Sequence, residues 1–281
     1  MKNKIKSYTK HPGSFLLLLL VLVAAVLTVG VLVFLVGYIL IRGIPYLKPS
    51  LFAWTYNSDN VSMLPAMINT LFMTVLALLL SVPFGVGAAI YLVEYAKKGN
   101  KLVGLIRVTA ETLSGIPSII YGLFGMLFFV TALKWGYSMM AGAATLAIMV
   151  LPVIMRTTEE ALLCVPDSFR EGSFGLGAGK LRTIFKIVLP SAIPGILSGI
   201  ILAIGRIVGE TAALIYTSGT VANLAGFFDS GRTLAIHMYS LSREGMHTNE
   251  AYATAVVLLI VVLIINGVSS LIAKKFEAPK Q

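Results

Sequence analysis

The sequence predicts an all-α integral membrane protein of six transmembrane helices with both termini in the cytoplasm. Three observations predict it. Of 281 residues, 57% are hydrophobic and 12% charged, about half the charged share of a soluble domain. Six windows are apolar over the roughly 20 residues that a helix needs to cross the hydrocarbon core, and a helix satisfies its own backbone polar groups, as lipid demands. Finally, the 22 Lys and Arg are unevenly shared. Sixteen fall in the N-terminal and C-terminal segments and in or at the edge of the second and fourth connecting loops, Arg156 at the end of its span among them, five fall in the alternate loops, and Arg206 alone lies deep within a span. That bias places both ends inside.

The first span, 14–41, follows Lys2, Lys4, Lys6 and Lys10. A secretory signal has an apolar region of about 7 to 15 residues and ends at a small-residue cleavage site. Here the run continues to Ile41 and ends at "IRGIPYLKP", which reads as a retained anchor. The second span is 67–93. The third, 109–133, holds Gly115 and Pro117, and a kink and a straight, loosely packed helix both fit. The fourth is 138–157, the fifth 191–218 and the sixth 251–273. Trp54, Tyr56 and Trp135 fall at outer edges and read as an interfacial belt. Glu94 and Glu111 stand near inner ends, beside lysine and water, and receive no site role.

The inner loop 157–190 is too long and too patterned for a plain connection. Pro166 closes one helical stretch, and "DSFRE" offers a capping box with Ser168 as N-cap and Glu171 three residues on. Gly175, Gly177 and Gly179 then interrupt the chain before "KLRTIFKIVLP", where Leu181, Ile184, Phe185 and Val188 have helical spacing. Two short helices joined by a glycine elbow are expected. The outer loop 219–250 contains "LAIHMYSLSREG", long enough for a short helix across the exit.

Several function classes are excluded. The net charge of +10 is explained by topology and requires no nucleic acid. One cysteine, Cys164, excludes an intramolecular disulfide, and His11, His237 and His247 are scattered without metal-ligand spacing. "GLGAGK" is not a nucleotide loop: a Walker A motif needs a glycine at 174 and a hydroxyl residue at 181, where Phe174 and Leu181 stand. No nucleophile and base pair marks an enzyme.

The exceptional stretch is "GRIVGETAAL", 205–214, which carries Arg206 and Glu210 into an apolar span. A charge at the bilayer centre costs roughly 2.5 to 3.5 kcal/mol on insertion scales and marks a pathway or site by default. On a continuous helix, residues four apart share a face, so the two project together. Arginine stays ionised and offers a donor fork suited to tetrahedral oxyanions. A carboxylate accepts a hydrogen bond from a protonated oxyanion and repels one without a proton; Thr211 adds a hydroxyl. The alternative is an i, i+4 pair whose members merely neutralise each other.

The inner loop resembles the cytoplasmic signature of permease subunits of bacterial ABC importers, a Glu-Ala-Ala, three residues, Gly, nine residues, then Ile-x-Leu-Pro. Glu171, Gly172 and Ser173 occupy the first positions, followed at the right spacing by Gly177, Ile187, Leu189 and Pro190. Both alanines are replaced by other small residues. Within that superfamily the chain is similar to phosphate-importer permeases from about Ile68 to Ala273, through "INTLFMT", "GIPSIIYGLFG" and "GRIVGET". The resemblance implies a type I importer permease fold in a bacterial or archaeal cytoplasmic membrane, non-catalytic, with no cofactor on this chain. It implies that Arg206, Glu210 and Thr211 line an anion pathway, and that Glu171, Gly177, Ile187, Leu189 and Pro190 couple to an ATPase. The implied partners are a second permease subunit, two ABC ATPase subunits carrying ATP and magnesium, and an extracytoplasmic phosphate-binding protein that meets the outer loop. A permease for molybdate, sulfate or phosphonate, or a secondary transporter or channel working alone, are the alternatives.

Overall fold

The computed structural model describes residues 12–97 and 99–276. Lys2, Lys4, Lys6, Lys10, His11, Lys98 and Lys280 lie outside them. The chain forms α1 (Pro12–Gly43), α2 (Leu64–Tyr95), α3 (Lys101–Ser114), α4 (Ser118–Ala132), α5 (Met139–Leu163), α6 (Asp167–Gly175), α7 (Lys180–Val208), α8 (Ala212–Ile215), α9 (Leu234–Glu244) and α10 (Thr248–Phe276). Among the described residues five helices are long and apolar enough to cross a bilayer, and the bent pair α3–α4 makes a sixth if it is read as one broken span.

Helix α5 is the axis of the bundle. Its apolar stretch is 67% buried within the chain, whereas that of α1 is 0% buried. Around α5 pack α2, α7, α4 and α3, with Met73, Leu146, Met149, Ile154, Ile207 and Leu214 in the central layer. A second layer lies toward the predicted outer end, where Leu51, Met63, Leu234 and Leu241 join α9 and α10 to the first outer loop. A third, at the predicted inner end, holds Leu92, Val103, Leu162, Val188 and Ile196. Helix α1 leans on α10, where Gly43 lets the backbone meet that of Tyr252.

Two expected spans are not single helices. The window 109–133 is divided into α3 and α4, which meet at 101°. Pro117 lacks an N–H and disfavours the α conformation of the residue before it, so the helix stops at Ser114 and restarts at Ser118. The carbonyl of Leu113, freed by the break, accepts from the Ile116 N–H at 3.1 Å and from the Tyr121 hydroxyl at 2.7 Å. Gly115 has φ −87°, a conformation open to any residue, so proline and not glycine makes the corner.

The window 191–218 is interrupted as well. Helix α7 ends at Val208, its last turn tightened by Gly209 N–H to Gly205 O and Glu210 N–H to Ile207 O at 3.3 and 3.2 Å. A single turn, α8, follows, and the chain then runs irregularly to Thr233, buried at Thr217–Gly219 and again at Gly231–Thr233 but largely exposed between them, with Thr217 and Ser218 wholly enclosed. Irregular backbone is tolerated at such depth only against protein. The α4 backbone supplies that cover at Gly122, where an added Cβ would lie 2.7 Å from the Cα of Ala213 in α8.

Replacing Gly122 with alanine therefore forces α4 off α8 and is expected to cost about 1 to 3 kcal/mol. Gly115→Ala, whose Cβ would meet only the Thr112 carbonyl at 3.5 Å, is expected to be neutral. Thermal unfolding of the two variants in detergent separates a corner made by Pro117 from one made by Gly115.

Candidate functional site

The residues predicted to share one face do not converge. Arg206 stands in the last turn of α7, where the partial negative charge of the helix C-terminus favours a cation. It is half-buried and lines a cavity of about 420 Å³ with Val153, Ile201, Leu202, Gly205 and Asn266. Glu210 follows the break and is 9% exposed. Its Oε1 accepts from the Ala213 N–H at 3.0 Å and so caps α8 in the manner of an N-cap acid. Thr211 donates to the Gly209 carbonyl at 3.4 Å and lines a different cavity, of about 660 Å³, with Ile39, Ile119, Arg243 and Tyr252. The shared-face expectation fails because the helix ends between Arg206 and Glu210. Among the described residues Arg206 forms no ion pair with Glu210, so mutual neutralisation fails with it. The signal was present in Gly205 and Gly209, since glycine weakens a helix interior by about 1 kcal/mol relative to alanine.

Helix α6 forms the expected first half of the inner loop, but its start differs. Pro166 is the N-cap and no side chain caps the helix, so the Ser168–Glu171 capping box does not form; Pro166 presets the entry two residues earlier. Glu171 is exposed. Gly177 takes φ +81°, the left-handed conformation that closes a helix and that glycine adopts without strain. Its N–H donates to Phe174 O at 2.9 Å. Ser173, which departs from the family's alanine, is buried and bonds Thr183 Oγ1 at 2.8 Å, fastening α6 to the first turn of α7. Ile187 and Leu189 are half-buried and Pro190 exposed at a wide turn of α7, Ile184–Val188. Phe169, Phe174, Leu181 and Phe185 are each about half exposed and Leu176 is 91% exposed. Large apolar side chains left open on one segment mark an interaction surface.

Sequence reasoning missed Arg170 and Glu94. Arg170 donates through Nε and Nη2 to Glu94 Oε1 at 3.1 and 2.8 Å, through Nη2 to Leu162 O at 3.0 Å, and through Nη1 to Val165 O at 2.8 Å and Asp167 Oδ1 at 3.2 Å. One largely buried guanidinium thus joins the end of α2, the open carbonyls at the end of α5, and α6. The two residues are 76 apart in sequence, so no local pattern announces the pair. Nearby, Arg107 pairs with the buried Glu159 at 2.5 Å, and Arg156 with Glu160 and Glu111 at 3.3 and 3.8 Å.

At the opposite end, Asn69 and Thr70 of "INTLFMT" hold the segment after α8. Asn69 Nδ2 donates to the carbonyls of Asn223 and Arg232, its Oδ1 accepts from Ala225 N–H at 3.1 Å, and Thr70 Oγ1 accepts from Leu234 N–H at 2.8 Å. Carbonyls of Thr217, Asp229 and Phe227 take the N–H groups of Ser138, Met139 and Met140 at the start of α5. Tyr56 is half-buried: Arg232 lies over its ring at 4.5 Å, and His237 meets its edge. Burial, reinforced by the Arg232 charge and opposed by the backbone of Val61, lowers the His237 pKa from 6.5 to about 3.

Comparison with known proteins agrees with this architecture. Residues 81–278 match the model of the binding-protein-dependent transport system inner membrane component. The chain belongs to that family. This permease is 35% identical to the probable ABC transporter permease protein YqgI of Bacillus subtilis (strain 168), over 90% of its own length and 94% of that protein. It is 37% identical to the phosphate transport system permease protein PstA 1 of Mycobacterium tuberculosis (strain ATCC 25618 / H37Rv), over 74% of its length and 68% of that protein. PstA of Yersinia pestis is also 37% identical, over 71% and 68%. A bacterial ABC transporter that imports alginate has the same fold, at TM-score 0.70 and 15% identity over 97% of this chain and 100% of that one. The MetNI methionine transporter follows at TM-score 0.60 and 20% identity over 76% and 94%. The chain is therefore a multi-pass, non-catalytic membrane subunit of an ABC importer, with the type I permease fold.

Two predictions follow from the ends of this permease. Arg170→Ala is expected to destabilise it by about 3 kcal/mol, because it strands a buried carboxylate. Combined with Glu94→Gln, the loss should fall short of the sum by at least about 1 kcal/mol in a double-mutant cycle. For His237, the unfolded chain binds the proton between its ordinary pKa of 6.5 and the folded value of about 3. Stability is thus complete above pH 6.5 and declines as pH falls, by about 2 kcal/mol at pH 5. His237→Gln should flatten that slope in unfolding curves recorded from pH 7 to 5.

Proposed function

We propose that this chain is one of two membrane subunits of an importer that carries inorganic phosphate through the cytoplasmic membrane into the cell. Two partner ATPase subunits, holding ATP and magnesium, dock at α6 and drive the cycle. An extracytoplasmic phosphate-binding protein delivers the anion to the outer end. The carrying observation is Arg206, a guanidinium that lines a half-open cavity between α5, α7 and α10 and has no carboxylate partner among the described residues. Arginine's planar donors suit a tetrahedral oxyanion, and several relatives of comparable identity are named as phosphate permeases.

Glu171 and the open side chains of Phe169, Phe174 and Leu176 form the surface offered to the ATPase, closed by Gly177 and continued through Ile187, Leu189 and Pro190. Nucleotide shifts the permease between outward and inward access to the extent that the ATPase grips those two states differently. In this reading Arg206 meets the anion, while Glu210 and Thr211 shape the break beside it. A permease for molybdate, sulfate or phosphonate would use the same guanidinium, and competition against phosphate uptake discriminates between them.

The test is phosphate uptake by the reconstituted transporter. Arg206→Lys, which loses the fork but keeps the charge, should lower uptake at limiting phosphate by about tenfold or more. Glu210→Gln retains an oxygen for the Ala213 N–H and should lower it by less than about threefold. Uptake that is indifferent to Arg206 sinks the proposal.

A further inference from the structure

The cavity beside Arg206 has a second polar wall. Asn266 is a carboxamide within α10, in the run "LIINGVSS", and lines the same cavity of about 420 Å³ as Arg206. Its Oδ1 is buried and has no hydrogen-bond partner. The other four lining residues, Val153, Ile201, Leu202 and Gly205, offer no polar side chain. An amide oxygen enclosed in this way without a donor costs about 1 to 3 kcal/mol by protein mutational scales, and α10 gains nothing from it as a spanning helix. Its place on the cavity that Arg206 also lines is what gives it a use.

The chemistry of the pair is complementary. Arg206 has donors only, so it binds the unprotonated oxygens of an oxyanion and cannot tell one tetrahedral anion from another. A carboxamide oxygen is an acceptor, and at neutral pH phosphate keeps at least one P–OH proton whereas sulfate has none. The carboxylate first credited with this role, Glu210, is occupied with the N–H of Ala213 and does not line the cavity. An amide also carries no charge, so it accepts the proton without repelling the anion. On these grounds, and resting on the phosphate reading above, we infer that Asn266 is a substrate-binding and specificity-determining residue, whose Oδ1 accepts the P–OH hydrogen bond while Arg206 holds the charged oxygens.

The experiment uses the full transporter, with both membrane subunits, the ATPases and the binding protein, in proteoliposomes. Uptake of inorganic phosphate is measured across concentrations, with and without excess sulfate. Asn266→Leu, of similar volume, and Asn266→Ala, which is smaller and spares the fold if leucine does not fit, remove the acceptor. Both are expected to require about tenfold more phosphate for half-maximal uptake and to become measurably inhibited by sulfate. Asn266→Asp, which places a carboxylate against Arg206, is expected to abolish uptake. Wild-type phosphate dependence and sulfate resistance in the leucine and alanine variants overturn this inference and leave the cargo assignment standing. A wild-type transporter that does not import phosphate overturns both.

Discussion

A helix that stops within an apolar bundle leaves amides and carbonyls that lipid cannot satisfy, and this permease is organised around answering those groups one at a time. At the α3–α4 corner the Tyr121 hydroxyl takes the Leu113 carbonyl. Past the end of α7 the Glu210 carboxylate takes the Ala213 amide. At the end of α5 the Arg170 guanidinium takes the carbonyls of Leu162 and Val165, and Asn69 does the same for the segment that returns over α2. Each unsatisfied group in hydrocarbon would cost several kcal/mol, so these four polar side chains are placed by the breaks.

That rule separates Arg206 from Glu210. A guanidinium and carboxylate in contact form a dipole whose attraction for a passing anion is small. Here the carboxylate is committed to a backbone amide, and the helix C-terminus supplies only a partial negative charge near Arg206. The cavity therefore keeps a net positive wall. In surroundings of lower dielectric than water such a charge acts over a longer range, which suits the capture of an anion and also its release, because a single guanidinium with a neutral companion holds less firmly than a cluster of cations.

What could be read from residues alone follows from how local each cause is. Six apolar windows and a lysine bias are properties of composition, and they predict a helical membrane fold without reference to packing. Pro117 is a local cause too, although the 101° turn depends on Gly122 letting α4 approach α8. The end of α7 was hidden, because Gly209 is a weak breaker in a strongly apolar run and Glu210 has the spacing of a helical i+4 partner, whereas its carboxylate takes the Ala213 N–H. The clamp of Arg170 on Glu94 and the common cavity of Arg206 and Asn266 join residues 76 and 60 positions apart, and no period or motif encodes such a meeting. Ser173 shows the converse: a departure from the family pattern became intelligible through Thr183, ten residues on.

The two tied ends leave α7 as the connection between them. Arg170 makes α6 one body with the ends of α2 and α5, and Ser173 fixes α6 to the start of α7. From Lys180 to Arg206 the chain is a single helix, about 40 Å long at 1.5 Å per residue. A displacement imposed on α6 is thus delivered to the guanidinium through one rod. Beyond Arg206 the rod stops at Val208, and Gly209, Glu210 and Thr211 separate it from α8 and the segment held by Asn69 and Thr70. The charge proposed to meet the anion accordingly sits on the α7 side of the break, joined to the inner surface by one helix, and the outer assembly held by Asn69 and Thr70 lies on the other side.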